Sequence, residues 1–224
     1  TCPSSRSKPR NLDFMECKLK GYDFKALEVT LEPGESFYAE RGALIYLESG
    51  IEKSAEFGKT AGNIIQSKLS GESLFLIRFN NNCNLRRKML LAGKVGVLPI
   101  KITGQRVMCR RGSYIASTEK MNLGLKISIS SLLGGAGLLQ RIDGNGTVFL
   151  DCYGMPVELD LGYNETIEVD ENNLIALVGI NENQIDASWS VGNMFHGEGL
   201  SLLRITGPGK VYINPSNIFT SRTL

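Results

Sequence analysis

The sequence is poor in the residues that most often carry out chemistry. It has a single histidine, His196, and five cysteines, at positions 2, 17, 83, 109 and 152. No two cysteines form a CxxC pair, and an odd number of scattered cysteines supports neither a zinc site nor a disulfide framework. Free cysteines among apolar residues are typical of a reducing compartment.

Long apolar runs and strong charge of one sign are also missing. No run approaches the roughly 18 apolar residues that span a bilayer. The opening residues TCPSSRSKPR are polar, and no hydrophobic segment of signal-peptide length follows them. The formal net charge is +2, too small to favour a dedicated nucleic-acid binder. We therefore expect a soluble, cytoplasmic protein.

Glycine is abundant, with 25 residues among 224, well above the usual share of about 7%. These glycines are spread along the chain, and many of them mark an internal repeat. Three features recur in the same order. The first is a turn, at Gly34, Gly104 and Asn164. The second is another turn eight residues later, at Gly42, Gly112 and Asn172. The third is an arginine after an apolar run, at Arg78, Arg141 and Arg204, with 63 residues between successive copies.

The residue types at the two turns suit a positive φ angle, because glycine has no Cβ and asparagine tolerates the left-handed region well. Strand-like runs follow each turn and each arginine, such as ALIYLES and TVFLDC. Units of about 60 residues are too small to bury both faces of a sheet comfortably alone. We therefore expect three copies that share a core about a pseudo-threefold axis.

The pattern predicts an all-β fold of three tandem sandwich or barrel-like modules with few short helices. The predicted limits are an N-terminal segment 1–24, repeats 25–95, 96–155 and 156–215, and a tail 216–224. The best helical candidates are residues 62–71 and a shorter stretch near Ser131.

The phrases GESLFLIRF, GLLQRIDGNGTVFLDCYG and GEGLSLLRITGPGKVYI carry a resemblance. From about residue 25 to 215 the chain resembles the family of uncharacterised bacterial proteins related to a fungal mitochondrial-biogenesis protein. The resemblance implies a double-stranded β-helix like that of the tryptophan-binding RNA attenuator protein, repeated three times. It also implies self-association, with a trimer as one form. It brings no catalytic residues, and the mitochondrial inner-membrane association of the eukaryotic relatives assigns no location to this chain.

Several candidate sites have a structural explanation that we prefer. Gly134–Gly137 resembles a phosphate-binding nest, but it lacks the lysine and hydroxyl of a P-loop. His196 has only carboxylates as further metal ligands in its neighbourhood. Arg78, Arg141 and Arg204 would bind an anion if the repeat brought them together. The simpler interpretation is that each guanidinium satisfies groups within its own module.

The basic residues Arg106, Arg110 and Arg111 raise the question of RNA binding. The charge at equivalent positions of the three repeats changes sign, since Glu40, Arg110 and Asp170 each stand six residues after the first turn. A track for nucleic acid needs a cation at each phosphate contact. Opposite charges at equivalent positions are better suited to pairing between modules or subunits.

Three Gly-rich segments join the second turn to the arginine, and loops of this kind often carry the binding function of repeat proteins. If exposed, their apolar residues would form a patch for a protein partner or a membrane surface; these are Ile64, Ile65, Leu132, Leu133, Trp189 and Phe195. Burial at module ends or in an oligomer interface is the simpler interpretation.

The sequence therefore predicts a non-enzymatic, self-associating β-repeat protein that acts as a scaffold or interaction module, with no cofactor and no metal. Its expected partner is a second copy of itself, and a nucleic acid is disfavoured. The alternative is a ligand- or RNA-binding module, which depends on the analogy with the attenuator fold.

Overall fold

The structure is a computed structural model that describes residues 15–57, 75–124, 127–128, 138–189 and 201–215. These residues form β-strands and one short 3-10 helix, Glu182–Gln184. The all-β prediction is therefore confirmed. No helix in the described ranges is long and apolar enough to cross a membrane. Both helical candidates, 62–71 and the stretch near Ser131, lie outside the described residues.

The strands of the first half are short and closely spaced. They are β1 (Glu16–Lys20), β2 (Ala26–Leu31), β3 (Ser36–Glu40), β4 (Leu44–Leu47), β5 (Ile51–Phe57), β6 (Phe75–Asn81), β7 (Arg87–Ala92), β8 (Gly96–Thr103), β9 (Val107–Arg110) and β10 (Tyr114–Ser117).

The second half continues in the same manner. Its strands are β11 (Asn122–Leu123), β12 (Ile127–Ser128), β13 (Leu138–Asp143), β14 (Asn145–Cys152), β15 (Val157–Leu161), β16 (Thr166–Asp170), β17 (Leu174–Val178), β18 (Ile185–Trp189), β19 (Ser201–Thr206) and β20 (Gly209–Ile213).

Four antiparallel sheets contain these strands. Their orders are β1-β2-β7-β4, then β5-β6-β3-β10-β14-β8, then β11-β13-β9-β17-β20-β15 with β12 beside β13, and finally β16-β19-β18. Each of the two large sheets combines strands from two of the predicted repeats. The connection is β3 with β10 in one sheet, which we call the first join, and β9 with β17 in the other, the second join.

The core consists of three clusters of buried side chains, and strands at the joins contribute to clusters of the preceding segment. Ile115, from β10, lies in the cluster that holds Phe37 and Phe79. The Phe37 and Phe149 rings lie 6.0 Å apart between centroids in the same cluster. Ile175, from β17, lies in the cluster that holds Val107 and Ile142. The joins therefore bury apolar area as well as forming backbone hydrogen bonds.

The first turn of each predicted repeat has the expected backbone geometry. The φ angles of Gly34, Gly104 and Asn164 are 81°, 91° and 61°. A side chain one residue later accepts a backbone N–H in every case, which closes the turn locally. The bonds are Glu32 N to Glu35 Oε2 at 2.8 Å, Thr103 N to Gln105 Oε1 at 2.8 Å, and Gly162 N to Glu165 Oε2 at 2.9 Å.

The second turn only partly matches the expectation. Gly112 has a φ angle of 73°, whereas Gly42 and Asn172 do not have positive φ angles. The prediction of a left-handed residue there is wrong for these two positions. The same backbone hydrogen bond closes the turn in all three segments, whatever the φ angle, so the turn does not require a left-handed residue. The bonds are Ala43 N to Glu40 O at 3.1 Å, Ser113 N to Arg110 O at 3.1 Å, and Asn173 N to Asp170 O at 2.9 Å.

The strands that follow these second turns share an irregularity. β4 on β7, β10 on β14 and β17 on β20 each shift register, between Leu44 and Tyr46, Tyr114 and Ala116, and Leu174 and Ala176 respectively. Each shift begins two residues after the turn. Such a bulge bends a strand and increases its twist.

Two glycine substitutions test the effect of the backbone φ angle at positions where an added side chain meets no steric crowding. An added Cβ at Gly34 or at Gly42 meets nothing within 4 Å, but only Gly34 has a positive φ angle. We expect Gly34→Ala to lower the free energy of unfolding by about 1–2 kcal/mol. Gly42→Ala should leave it unchanged or raise it by about 0.4–1 kcal/mol. Urea unfolding of both variants checks this, and equal effects would contradict the assignment of the turn.

Candidate functional site

The three repeated arginines are separated in the sheets, and each has a partner close in its own segment. Arg78, on β6, donates to Ser36 Oγ from Nε at 3.1 Å and from Nη2 at 2.9 Å. Arg141 Nε lies 2.6 Å from Asp143 Oδ2, on the same strand, β13. Arg204, on β19, pairs with Glu168 at 2.9 Å. The hydrogen bonds of Arg78 and Arg204 use donors that an anion would need, whereas Arg141 Nε makes no hydrogen bond despite the nearby carboxylate. The anion site itself stays a prediction.

The basic residues considered for RNA lie beside the second join. Arg110 Nη1 donates to the carbonyl of Asn172 at 3.0 Å, across the join between β9 and β17. Arg106 Nη1 lies 3.4 Å from Asn181 Oδ1. Both cations therefore contact the segment that follows them, through an amide oxygen and a backbone carbonyl. The pairing of opposite charges between modules or subunits stays a prediction.

Most of the apolar loop residues fall outside the described ranges. These are Ile64, Ile65, Leu132, Leu133 and Phe195, together with His196 and Gly134–Gly137. Trp189 is the last residue of β18. The interaction loops therefore stay a prediction.

The described residues hold no group of three or more His, Cys, Asp or Glu side chains that would bind a metal ion. Burial raises the pKa of the Cys109 thiol to about 12 and that of Cys152 to about 11. A thiol is nucleophilic as the thiolate, so burial makes both side chains inert near neutral pH.

A cleft of about 580 Å³ lies between β8 and β15 and is lined in part by Lys101, Glu158, Asp160 and Lys210. Lys210 Nζ contacts Glu158 and lies 3.2 Å from Asp160 Oδ1. Hydrogen bonds to Glu158 and then Asp160 raise the pKa of Lys210. This lysine stays protonated near neutral pH and cannot serve there as a general base.

The most distinctive surface consists of two sheet edges, which we call the open edges: the outer sides of β4 and β16. Each strand ends its sheet, since β4 neighbours only β7 and β16 neighbours only β19 among the described strands. Glu48 N donates to Lys88 O at 2.9 Å, so by alternation the backbone groups of Leu47 point to the open side. Gly207 N donates to Glu165 O at 2.8 Å, so by alternation the backbone groups of Thr166 and Glu168 point to the open side of β16.

Two of the four side chains of β4 are exposed, unlike those of β10 and β17. All residues of β10 and β17 are buried, whereas Ile45 and Tyr46 of β4 are 57% and 44% exposed. An apolar strand with an unpaired edge is a template for another strand. The open edges are therefore the candidate interaction site of the described chain.

Sequence reasoning missed these edges, although a signal was available. The runs ALIYLES, SYIASTE and NLIALVG were interpreted only as strands inside a module. Continuous apolar stretches indicate strands covered on both faces, which implies that another part of the protein covers them.

The fold and its edges define the class: an all-β protein in which sheets continue from one segment of the chain into the next. The family model described as Mitochondrial biogenesis AIM24 matches residues 17–216, and the chain belongs to this family. The resemblance carried by the glycine and arginine phrases is thereby confirmed.

Two relatives come from Streptococcus pyogenes. An uncharacterised protein of serotype M6 is 23% identical over 222 residues, which cover 89% of this chain and 84% of the relative. A crystal structure of a protein from the same species matches with a TM-score of 0.67 and 20% identity, covering 92% of this chain and 95% of that one. At this identity the structural likeness shows the fold alone.

The buried thiols make stability depend on alkaline pH. In the unfolded chain the Cys109 thiol titrates near its ordinary pKa of 9.0, whereas burial in the fold raises its pKa to about 12. The native state therefore holds the proton that the unfolded state loses, and the free energy of unfolding falls as pH rises above 9. We expect Cys109→Ala to reduce this fall by up to about 1.4 kcal/mol per pH unit between pH 9 and 11.

Urea unfolding at several pH values provides the measurement. Ile142→Val is the control, because it removes a buried methylene and no titrating group. The control should lose similar stability at every pH. An unchanged pH dependence in Cys109→Ala would contradict the burial of that thiol.

Proposed function

We propose that this protein is a non-enzymatic, self-associating β-repeat protein that acts as a scaffold or interaction module. The observation that carries the proposal is the exposure of Ile45. An isoleucine stands three residues after each second turn, and the other two, Ile115 and Ile175, are 3% and 1% exposed, against 57% for Ile45. Both buried residues lie at joins, which makes the missing partner of β4 another strand.

The three-module organisation is part of this proposal, with repeats at 25–95, 96–155 and 156–215. The matched turns and register shifts described above support it. So do the arginine pairings, since the residue opposite each arginine stands four positions after the first turn. The pairs are Tyr38 with Arg78, Met108 with Arg141, and Glu168 with Arg204.

The segments also share one pattern of strands. β2-β7-β4, β8-β14-β10 and β15-β20-β17 are three-stranded runs in equivalent order, and β5-β6-β3 and β18-β19-β16 have a second common order. A pseudo-threefold arrangement closed within one chain would need a third join, between β16 and β4. That pairing is not among those of the described residues.

Scaffolding fits the chemistry of the described surface better than catalysis does. The accessible lysine of the cleft is held protonated by carboxylates, and the buried thiols are withheld from reaction. The arginine proposed for RNA contacts at the second join is engaged with a carbonyl. The cytoplasm is the proposed location, on the basis of the scattered free cysteines.

Self-association is tested by the solution mass of the parent and of Ile45→Asp, measured by light scattering over a wide range of concentration. We expect the parent to be an oligomer. The variant should be a folded monomer, because it places a charge where the other isoleucines are buried. Met155→Asp is the matched control, with an apolar side chain that is 76% exposed in a loop.

The control should keep the mass of the parent. A parent that stays monomeric at every concentration would contradict self-association.

A further inference from the structure

The two joins within the chain follow one register rule. In the first join Ala116 lies opposite Ala39, and in the second Ala176 lies opposite Cys109. Ala116 and Ala176 each stand four positions after the second turn of their own repeat. The residues opposite them, Ala39 and Cys109, each stand five positions after the first turn of the preceding repeat. The next pairs, Ser117 with Tyr38 and Leu177 with Met108, continue this register.

Applied to the open edges, the rule places Tyr46 opposite Val169, Leu47 opposite Glu168, and Glu48 opposite Ile167. The backbone directions agree with this register. In the second join Gly179 N donates to Arg106 O at 2.9 Å, so Leu177 and Met108 form a hydrogen-bonded pair. Their counterparts, Leu47 and Glu168, are residues whose backbone groups point to the open sides of β4 and β16.

The burial of side chains gives the same assignment. At each join the isoleucine within the bulge lies in the core cluster of the preceding repeat. By that rule Ile45 enters the cluster of the last repeat. Ile167 and Val169 on β16 belong to that cluster. Ile167 is only partly buried, whereas Phe37 and Val107, which stand at the same distance from the first turn of their own repeats, are fully buried.

We propose that β4 of one chain pairs antiparallel with β16 of a second copy, in the register Leu47 opposite Glu168. This rests on the proposed self-association and names its interface. Among the described strands both joins within the chain are formed, and β4 and β16 are not paired with each other. We therefore assign the occupant of each open edge to another copy.

Such an interface is heterologous, because each chain contributes a different edge to its two neighbours. Head-to-tail contacts of this kind close into a ring if the rotation per chain closes, and otherwise extend as a filament. The interface would continue each sheet across the chain boundary through the same backbone pairing that is used inside the chain.

Mixing two variants tests the pairing. Ile45→Asp blocks β4 and leaves β16 intact. Thr166→Pro removes an N–H on the open side at the first residue of β16, a position where an edge strand tolerates proline. We expect each variant alone to be a monomer. A one-to-one mixture should form heterodimers held by one pairing, between β16 of the Ile45→Asp variant and β4 of the Thr166→Pro variant, because each variant supplies the edge that the other lacks.

The outcomes separate this pairing from self-association in general. If Thr166→Pro keeps the mass of the parent while Ile45→Asp is a monomer, the chain associates without β16, and the pairing is overturned while self-association stands. A mixture of folded variants that remains monomeric also overturns it. A monomeric parent overturns both proposals. Circular dichroism and thermal unfolding establish that each variant is folded.

A cross-link tests the register without proline. Glu48 and Ile167 would form a non-hydrogen-bonded pair, whose Cα atoms lie about 4.5 Å apart, within the range of a disulfide. Chains with Glu48→Cys and chains with Ile167→Cys are mixed under mild oxidation, after Cys2, Cys17 and Cys83 have been changed to serine. We expect a cross-linked species of twice the chain mass.

The matched control mixes Glu48→Cys with Glu168→Cys. The side chain of residue 168 lies on the opposite face of the strand from that of residue 167, so cross-linking should fall at least tenfold. Equal cross-linking in the two mixtures would overturn the register. In a doubly substituted chain, a disulfide that forms within a single chain would overturn the assignment to a second copy.

Discussion

The structure depends on antiparallel pairing between strands of successive segments. At the two joins, β10 and β17 receive hydrogen bonds from strands of the preceding segment and place Ile115 and Ile175 in its core. A segment of about 60 residues buries a small share of its surface and is only marginally stable alone. The joins solve this problem by giving each segment a strand of its neighbour, so that neither sheet has to end where the segment ends.

An arrangement of this type leaves two strand edges without a partner strand among the described residues, that of β4 in the first segment and that of β16 in the last. β3 pairs with β10 and β9 pairs with β17, each with a strand from the following segment, but the outer side of β4 pairs with no described strand. Soluble proteins usually cover or charge such edges. β4 instead presents Ile45 and Tyr46, which argues that an assembled form covers it. The self-association that we propose would then follow from repeating a unit whose two edges differ.

Much of the fold was accessible from the sequence, because turns constrain residue type. Gly34, Gly104 and Asn164 mark the same left-handed position, and the strands follow from alternation. The joins were not accessible, since pairing between distant strands leaves no local pattern beyond the apolar character of SYIASTE and NLIALVG. The prediction for the second turn is wrong at Gly42 and Asn172, because the hydrogen bond that closes this turn forms with or without a positive φ angle. The repeated spacing of the arginines stays a prediction, and their partners depend on register, which a single sequence does not reveal.

Hydrogen exchange of the amides on the open edges shows directly whether β4 and β16 are paired with strands of other copies. The account predicts that in the assembled protein Leu47, Thr166 and Glu168 exchange as slowly as Ser117 and Leu177 at the joins, and that dilution to the monomer removes this protection only at the open edges. Fast exchange of these three amides at concentrations where the oligomer persists would show that assembly uses another surface, and would contradict the account.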